Sequence, residues 1–200
     1  MNELQNQFKE QGYVFVKDFI PKDVAHYLYQ YLKFSILAHR LAGNQTAIQG
    51  DEQVIGSYTR GHGDLALDSL MKMMKPKMEE VTGLQLFPTY TYSRIYKKGN
   101  ILVRHTDRPS CEVSITLRLA SSDDRYNWPI WMKNAEYKLD DGDGVVYRGC
   151  DLDHWRETCE APDDWLMGQV FMHYVDANGP YADHKYDKRT AKTKLFETDL

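Results

Sequence analysis

The feature that most constrains this chain is a change of hydrophobic period near Leu84. Before it, apolar residues recur at helical spacing; after it, short runs alternate every second residue and are separated by turn residues. The alternating runs span residues 87–96, 101–107, 112–120, 128–132, 136–139, 144–147 and 169–175. Short strands with brief connections, each hydrophobic on one face, bury those faces by stacking as two sheets, which predicts a double-sheet jelly roll or barrel. In the first third, one strand is expected at 13–16 after Gly12, and a helix at 23–39 carries Val24, Leu28, Tyr31, Leu32 and Ile36 on one face, with Pro21 just before its start. A second helix at 65–81 carries Leu67, Leu70, Met71, Met74 and Met78 and ends at Gly83, while Pro76 should kink or shorten it.

The expected class is therefore α+β, mainly β: a double-stranded β-helix (jelly roll) core supported by N-terminal helices. With no repeat, low-complexity stretch or linker in view, the chain reads as one domain over 1–200, with a helical part at 1–83, a jelly-roll core at 84–175 and a polar tail at 176–200. The tail's basic cluster, Lys185, Lys188, Arg189, Lys192 and Lys194, is interrupted by Asp187 and reads as a solvated segment. Residues 42–64 between the helices are Gly-rich, polar and long enough to predict a lid or binding loop.

A formal charge of −4 without a basic block excludes nucleic acid as a general partner. Three cysteines, Cys111, Cys150 and Cys159, leave one unpaired in any scheme and point to a reducing interior. The polar N-terminus lacks the apolar core of a signal peptide, and no stretch approaches the roughly 20 apolar residues of a membrane span. A cytoplasmic protein without membrane contact is expected.

The chemistry concentrates in Val103-Arg104-His105-Thr106-Asp107. Residues two apart on a strand share a face, so His105 and Asp107 project together, at a strand end before the turn Arg108-Pro109-Ser110. A third ligand is available as His154 within Gly149-Cys150-Asp151-Leu152-Asp153-His154-Trp155, or as His173 or His184. Two histidines and one carboxylate on one face of a metal leave the opposite positions open, the arrangement of non-haem Fe(II) oxygenases. A second His-x-Asp, His62-Gly63-Asp64, stands where Asp64 would instead cap the following helix.

At these residues the chain resembles the 2-oxoglutarate- and Fe(II)-dependent oxygenases, in particular their prolyl-4-hydroxylase-like branch. The resemblance runs from Gly12-Tyr13-Val14-Phe15-Val16-Lys17-Asp18-Phe19 to Val175. It is carried by Tyr96-Lys97-Lys98-Gly99-Asn100 leading into His105-Thr106-Asp107, by Gly142-Asp143-Gly144-Val145-Val146-Tyr147 before the distal histidine, and by the position of His154. It implies Fe(II) held by His105, Asp107 and His154, with 2-oxoglutarate and O2 as cosubstrates and hydroxylation as the reaction. Asp107, where related halogenases have Gly or Ala, argues for hydroxylation over chlorination.

One departure bears on the cosubstrate. Where such enzymes carry a basic anchor for its far carboxylate, shortly after the distal histidine, this chain reads Pro162-Asp163-Asp164-Trp165. Arg118, inside the apolar run Ile115-Thr116-Leu117-Arg118-Leu119, is the expected replacement, because a buried charge requires an anionic partner. Its alternative role is an ion pair with Glu112. Arg156 competes for the anchor, Arg94 and Arg104 stand behind both, and Thr116, Tyr96 and Tyr92 are candidate hydrogen-bond donors to the cosubstrate. Trp128, Trp131 and Trp155 could line a substrate cleft. The resemblance suggests a prolyl residue of a protein or peptide as substrate, although the scaffold also serves free amino acids and other small molecules. The rival readings are a non-catalytic jelly-roll binding module and a cupin-like metal enzyme that does not use 2-oxoglutarate.

Overall fold

The computed structural model describes residues 2–43 and 51–187. Among the described residues, three helices support the sheets: α1 (Glu3–Gln11), α2 (Lys22–Leu41) and α3 (Leu65–Thr82). Helix α1 was not singled out by the sequence pattern because it buries only Phe8; a capping box between Asn2 and Gln5 starts it instead. Helix α2 buries Leu28, Leu32 and Ile36, as its spacing predicts, together with Ala25 and Tyr29, while Val24 and Tyr31, expected on the same face, are only partly buried. Helix α3 starts at Asp64, whose carboxylate accepts hydrogen bonds from the Ala66 and Leu67 amides, and ends at Gly83. Pro76 does not shorten it as expected. The proline lies on the exposed side, where water can replace the bond that its missing N–H forgoes, while Met71, Met78 and Val81 remain packed below.

Ten strands follow or interleave: β1 (Tyr13–Val16), β2 (Tyr58–Thr59), β3 (Leu86–Lys97), β4 (Leu102–His105), β5 (Val113–Ser121), β6 (Ile130–Met132), β7 (Ala135–Tyr137), β8 (Gly144–Arg148), β9 (His154–Arg156) and β10 (Leu166–Asp176). They form a six-stranded sheet in the order β1-β8-β5-β10-β3-β2 and a four-stranded sheet in the order β4-β9-β6-β7, antiparallel throughout. The fold is mainly β, with a jelly-roll core of two stacked sheets. The sequence pattern did not reveal β2 or β9, each too short to display an alternation.

Strand β10 shows how the layers are built. Val170, Met172 and Tyr174 pack against the helices, while Met167 and Phe171, on the other face, pack between the sheets. The same alternation turns Tyr92, Arg94 and Tyr96 of β3 inward with Phe171, Gln169 and Met167, their register partners on β10. The tail continues into a short 3-10 turn at Ala182–His184. Of its basic cluster only Lys185 lies within the described residues, its ammonium 5.4 Å from the centre of the Phe87 ring. No helix among the described residues is long and apolar enough to cross a membrane.

The turn after β8 ties the sheets to the segment that follows β4. The amide of Asp107 donates to the Gly149 carbonyl at 2.8 Å, and the Gly149 amide donates to the Glu112 carbonyl at 3.0 Å. A Cβ on Gly149 would overlap the Cys111 carbonyl oxygen and approach Asp107 Oδ2 to 2.6 Å, so only glycine fits. Gly149→Ala is expected to lower stability by about 1–3 kcal/mol, the cost of overpacking a closed site. An unchanged urea midpoint would show that this contact is slack.

Candidate active site

Strands β4 and β9 pair so that His105 stands directly opposite His154, and Asp107 follows two residues later. The imidazole centroids lie 4.3 Å apart. Asp107 Oδ1 is 3.6 Å from Nε2 of His105 and 3.6 Å from Nε2 of His154. Since metal bonds to nitrogen and oxygen donors run at about 2.0–2.2 Å, atoms this far apart can share one ion.

The other ring nitrogens decide which atoms are available. His105 Nδ1 contacts the Val103 carbonyl at 2.7 Å, and His154 Nδ1 contacts the Leu152 carbonyl at 3.0 Å. A carbonyl only accepts, so each Nδ1 must carry the hydrogen, and in the neutral ring Nε2 then holds the lone pair. Both Nε2 atoms belong to the group that converges on Asp107. Burial pushes the Asp107 carboxyl upward, but His105, His154 and His173 outweigh it and hold it below the usual carboxylate range. Burial is also the main reason that His154 sits below the usual imidazole range. A carboxylate beside neutral imidazole is the protonation state that a divalent cation requires.

Asp107, Cys111 and His173 form a second close group. It suits a cation less well, because burial drives the Cys111 thiol far up and keeps it protonated. Ser114 Oγ donates to the Cys111 carbonyl and accepts from His173 Nδ1 at 2.7 Å, and burial lowers His173 to about 4. His184 lies apart from this group, against Tyr181 and Ser110. The His62 and Asp64 side chains diverge: Asp64 caps α3 and accepts from Tyr31, while His62 packs on Tyr90 and Tyr92 with centroids 4.9 Å from each.

Beside the triad opens a cavity of about 490 Å³, walled by the three candidate ligands together with Tyr90, Tyr92, Arg94 and Phe171 from the large sheet and Asp51 and Gln53 from the loop before β2. Asp51 and Gln53 were foreshadowed only by the length of the loop at 42–64, of which 44–50 lie outside the described residues. His173 and Phe171 were legible as strand residues but not as wall residues, because the facing sheet decides which end of β10 is lined by the cavity.

Arg118 does not reach this wall. Its guanidinium donates to Asp141 Oδ1 at 3.0 Å, the Leu139 carbonyl at 2.7 Å, Ser121 Oγ at 2.9 Å and Asp124 Oδ1 at 3.3 Å. The buried charge does have an anionic partner, but the turn before β8 supplies it. Glu112, the partner weighed from sequence, instead accepts from the Asp176 amide. Thr116 Oγ1 accepts from Gln169 Nε2 at 2.6 Å.

Arg156 does not line this cavity either, but its charge is met differently. Two residues beyond His154 on the same inward face, it is 2% exposed, and no carboxylate pairs with it among the described residues. It bonds the Trp128 carbonyl and Gln169 Oε1 and lies over the rings of Trp128 and Tyr96. Burial lowers its pKa to about 10. The hydroxyl of Tyr96 is buried with no well-aligned hydrogen-bond partner among the described residues, and the guanidinium groups of both Arg94 and Arg156 act on it. Arg104, on the outer side, pairs with Asp153 and covers Trp155, and Trp155 stacks on Trp131; Trp128 is buried core.

No family model and no curated protein matches this sequence. Solved structures do. A prolyl-4-hydroxylase from Pseudomonas putida superposes with TM-score 0.61 at 16% identity, over 86% of this chain and 97% of that one. The non-haem α-ketoglutarate-dependent carbocyclase SnoK of nogalamycin biosynthesis gives 0.68 at 12% identity, over 100% and 91%. A prolyl hydroxylase from Trichoplax adhaerens, solved with a peptide fragment of the hypoxia-inducible factor oxygen degradation domain, gives 0.60 at 15%, over 86% and 87%. The two stacked sheets and their supporting helices are thus the fold of the 2-oxoglutarate- and Fe(II)-dependent oxygenases.

Proposed function

We propose that this protein is a 2-oxoglutarate- and Fe(II)-dependent dioxygenase that hydroxylates its substrate. The observation that carries the reading is the convergence of His105 Nε2, Asp107 Oδ1 and His154 Nε2 beside an open cavity, with both Nδ1 atoms already committed to backbone carbonyls. The residues fit the metal in donor type and protonation state, and as two imidazoles and one carboxylate they would leave further positions free for cosubstrates. When bound, iron and 2-oxoglutarate supply activation of dioxygen and an oxidant able to attack a C–H bond.

The chain's own residues hold and orient. His105 and Asp107 reach the site from β4 and the segment after it, and His154 reaches it from β9, so the ligand set clamps one edge of the small sheet to the turn after β8. Arg156 takes the far carboxylate of 2-oxoglutarate, in place of Arg118. A fully buried guanidinium without a carboxylate gains most from an incoming anion, and the buried Tyr96 hydroxyl adds a second donor. The fold similarity to prolyl hydroxylases supports a prolyl residue as one substrate, and the similarity to SnoK supports small molecules as another.

Anaerobic addition of Fe(II) and then 2-oxoglutarate should produce the visible charge-transfer band of the chelate. His154→Ala is expected to abolish stoichiometric Fe(II) binding; retention of full affinity would move the third ligand to His173. Arg156→Gln should weaken 2-oxoglutarate roughly 10- to 100-fold, as loss of hydrogen bonds to a charged group implies, while leaving iron bound. Tyr96→Phe is expected to weaken 2-oxoglutarate while leaving iron bound and the fold intact; a cosubstrate affinity that holds would refute the assigned role.

A further inference from the structure

We infer that Arg94 and Tyr92 form a recognition site for a carboxylate on the substrate, and that Asp51 occupies it until the substrate does. The inference rests on the oxygenase reading for the fate of the ligand, but the binding site stands on its own geometry.

The donors belong to the rigid sheet. Arg94 of β3 is buried, with its guanidinium carbon 5.0 Å from the centre of the Tyr92 ring and 5.5 Å from that of Phe171. One oxygen, Asp51 Oδ2, collects Arg94 Nε at 2.9 Å, Arg94 Nη2 at 2.8 Å and the Tyr92 hydroxyl at 2.6 Å. A forked guanidinium with an added phenol is how a protein grips a foreign carboxylate. The acceptor, by contrast, arrives on a segment with neither helix nor regular strand. The other oxygen of Asp51 is held only by the amides of Gln53 and Val54, in its own turn. Among the described residues, withdrawing Asp51 therefore breaks side-chain contacts only to Arg94 and Tyr92 outside its own turn, while Val54, buried between the sheets, keeps the segment tethered. Exchanging one carboxylate for another leaves Arg94 paired at the end as at the start, which avoids the large cost of a buried unpaired charge.

Gln53 links this exchange to the candidate ligands. Its Oε1 accepts from Arg94 Nη2 at 2.6 Å, and its Nε2 contacts Nε2 of His105. That nitrogen carries the lone pair directed to the metal, so an amide N–H and a cation cannot both use it. Loading the site removes one tie of the segment and leaves Asp51 easier to displace. Beyond Arg94 the wall is aromatic, with Tyr90, Phe171 and His62, so the ligand class is a small acid with an apolar or ring-bearing body.

Benzoate and its neutral isostere benzamide test this on the full chain, held anaerobic with Fe(II) and 2-oxoglutarate, by titration calorimetry. Benzoate should bind and benzamide should bind at least about tenfold more weakly, the loss of a charge-assisted pair. Asp51→Asn, a nearly isosteric change, should tighten benzoate by about tenfold because the resident carboxylate is gone, whereas Arg94→Met should lose benzoate and keep the 2-oxoglutarate charge-transfer band. Equal binding of the two probes, no gain or no binding in Asp51→Asn, or loss of 2-oxoglutarate in Arg94→Met would each overturn the assignment, the last by making Arg94 the cosubstrate anchor. A missing band in the unaltered protein with benzoate still bound would sink the oxygenase reading and sustain the carboxylate site.

Discussion

The site depends on one strand pairing. β4 and β9 lie antiparallel with His105 across from His154, so two side chains far apart in sequence are brought within a few ångströms by backbone hydrogen bonds. Because side chains alternate with a period of two, a slip of one residue would turn His154 outward and Trp155 inward. Asp107 is fixed to the same place by a separate tie, its amide on the Gly149 carbonyl. Register and turn together decide where three donor atoms meet.

Three arginines buried near the core show how burial of charge is resolved in different ways. Arg118 is neutralised within the fold by Asp141 and Asp124 and acts as a brace between β5 and the turn before β8. Arg94 is neutralised by Asp51, from the irregular segment that leads into β2. Among the described residues, Arg156 has a carbonyl and an amide oxygen, together with two aromatic faces, and no carboxylate. A buried guanidinium met by neutral acceptors and aromatic faces is compensated less fully than one paired with a carboxylate.

Much of this was legible in the chain itself. The α2 and α3 faces follow from apolar spacing, the Asp64 cap from its place before Leu65, and the long strands from alternation. His105 and Asp107 share a tripeptide, so local geometry alone suggested them. The misreading of Arg118 has a definite cause. Sequence showed that a charge would be buried and would need an anion, but Asp141 lies on a turn whose position relative to β5 depends on β8 pairing alongside. Likewise β9 is three residues long, below the length at which a period can be seen.

The sequence by itself determined the class of fold, the helix faces and the candidate ligand types, because each rests on periodicity or on residues close together in the chain. Only the tertiary structure decided which buried arginine lacks a carboxylate, which loop residues wall the cavity and how Asp51 meets Arg94. Those are contacts between segments whose relative placement is set by sheet stacking, and no local pattern records which partner a buried charge will find.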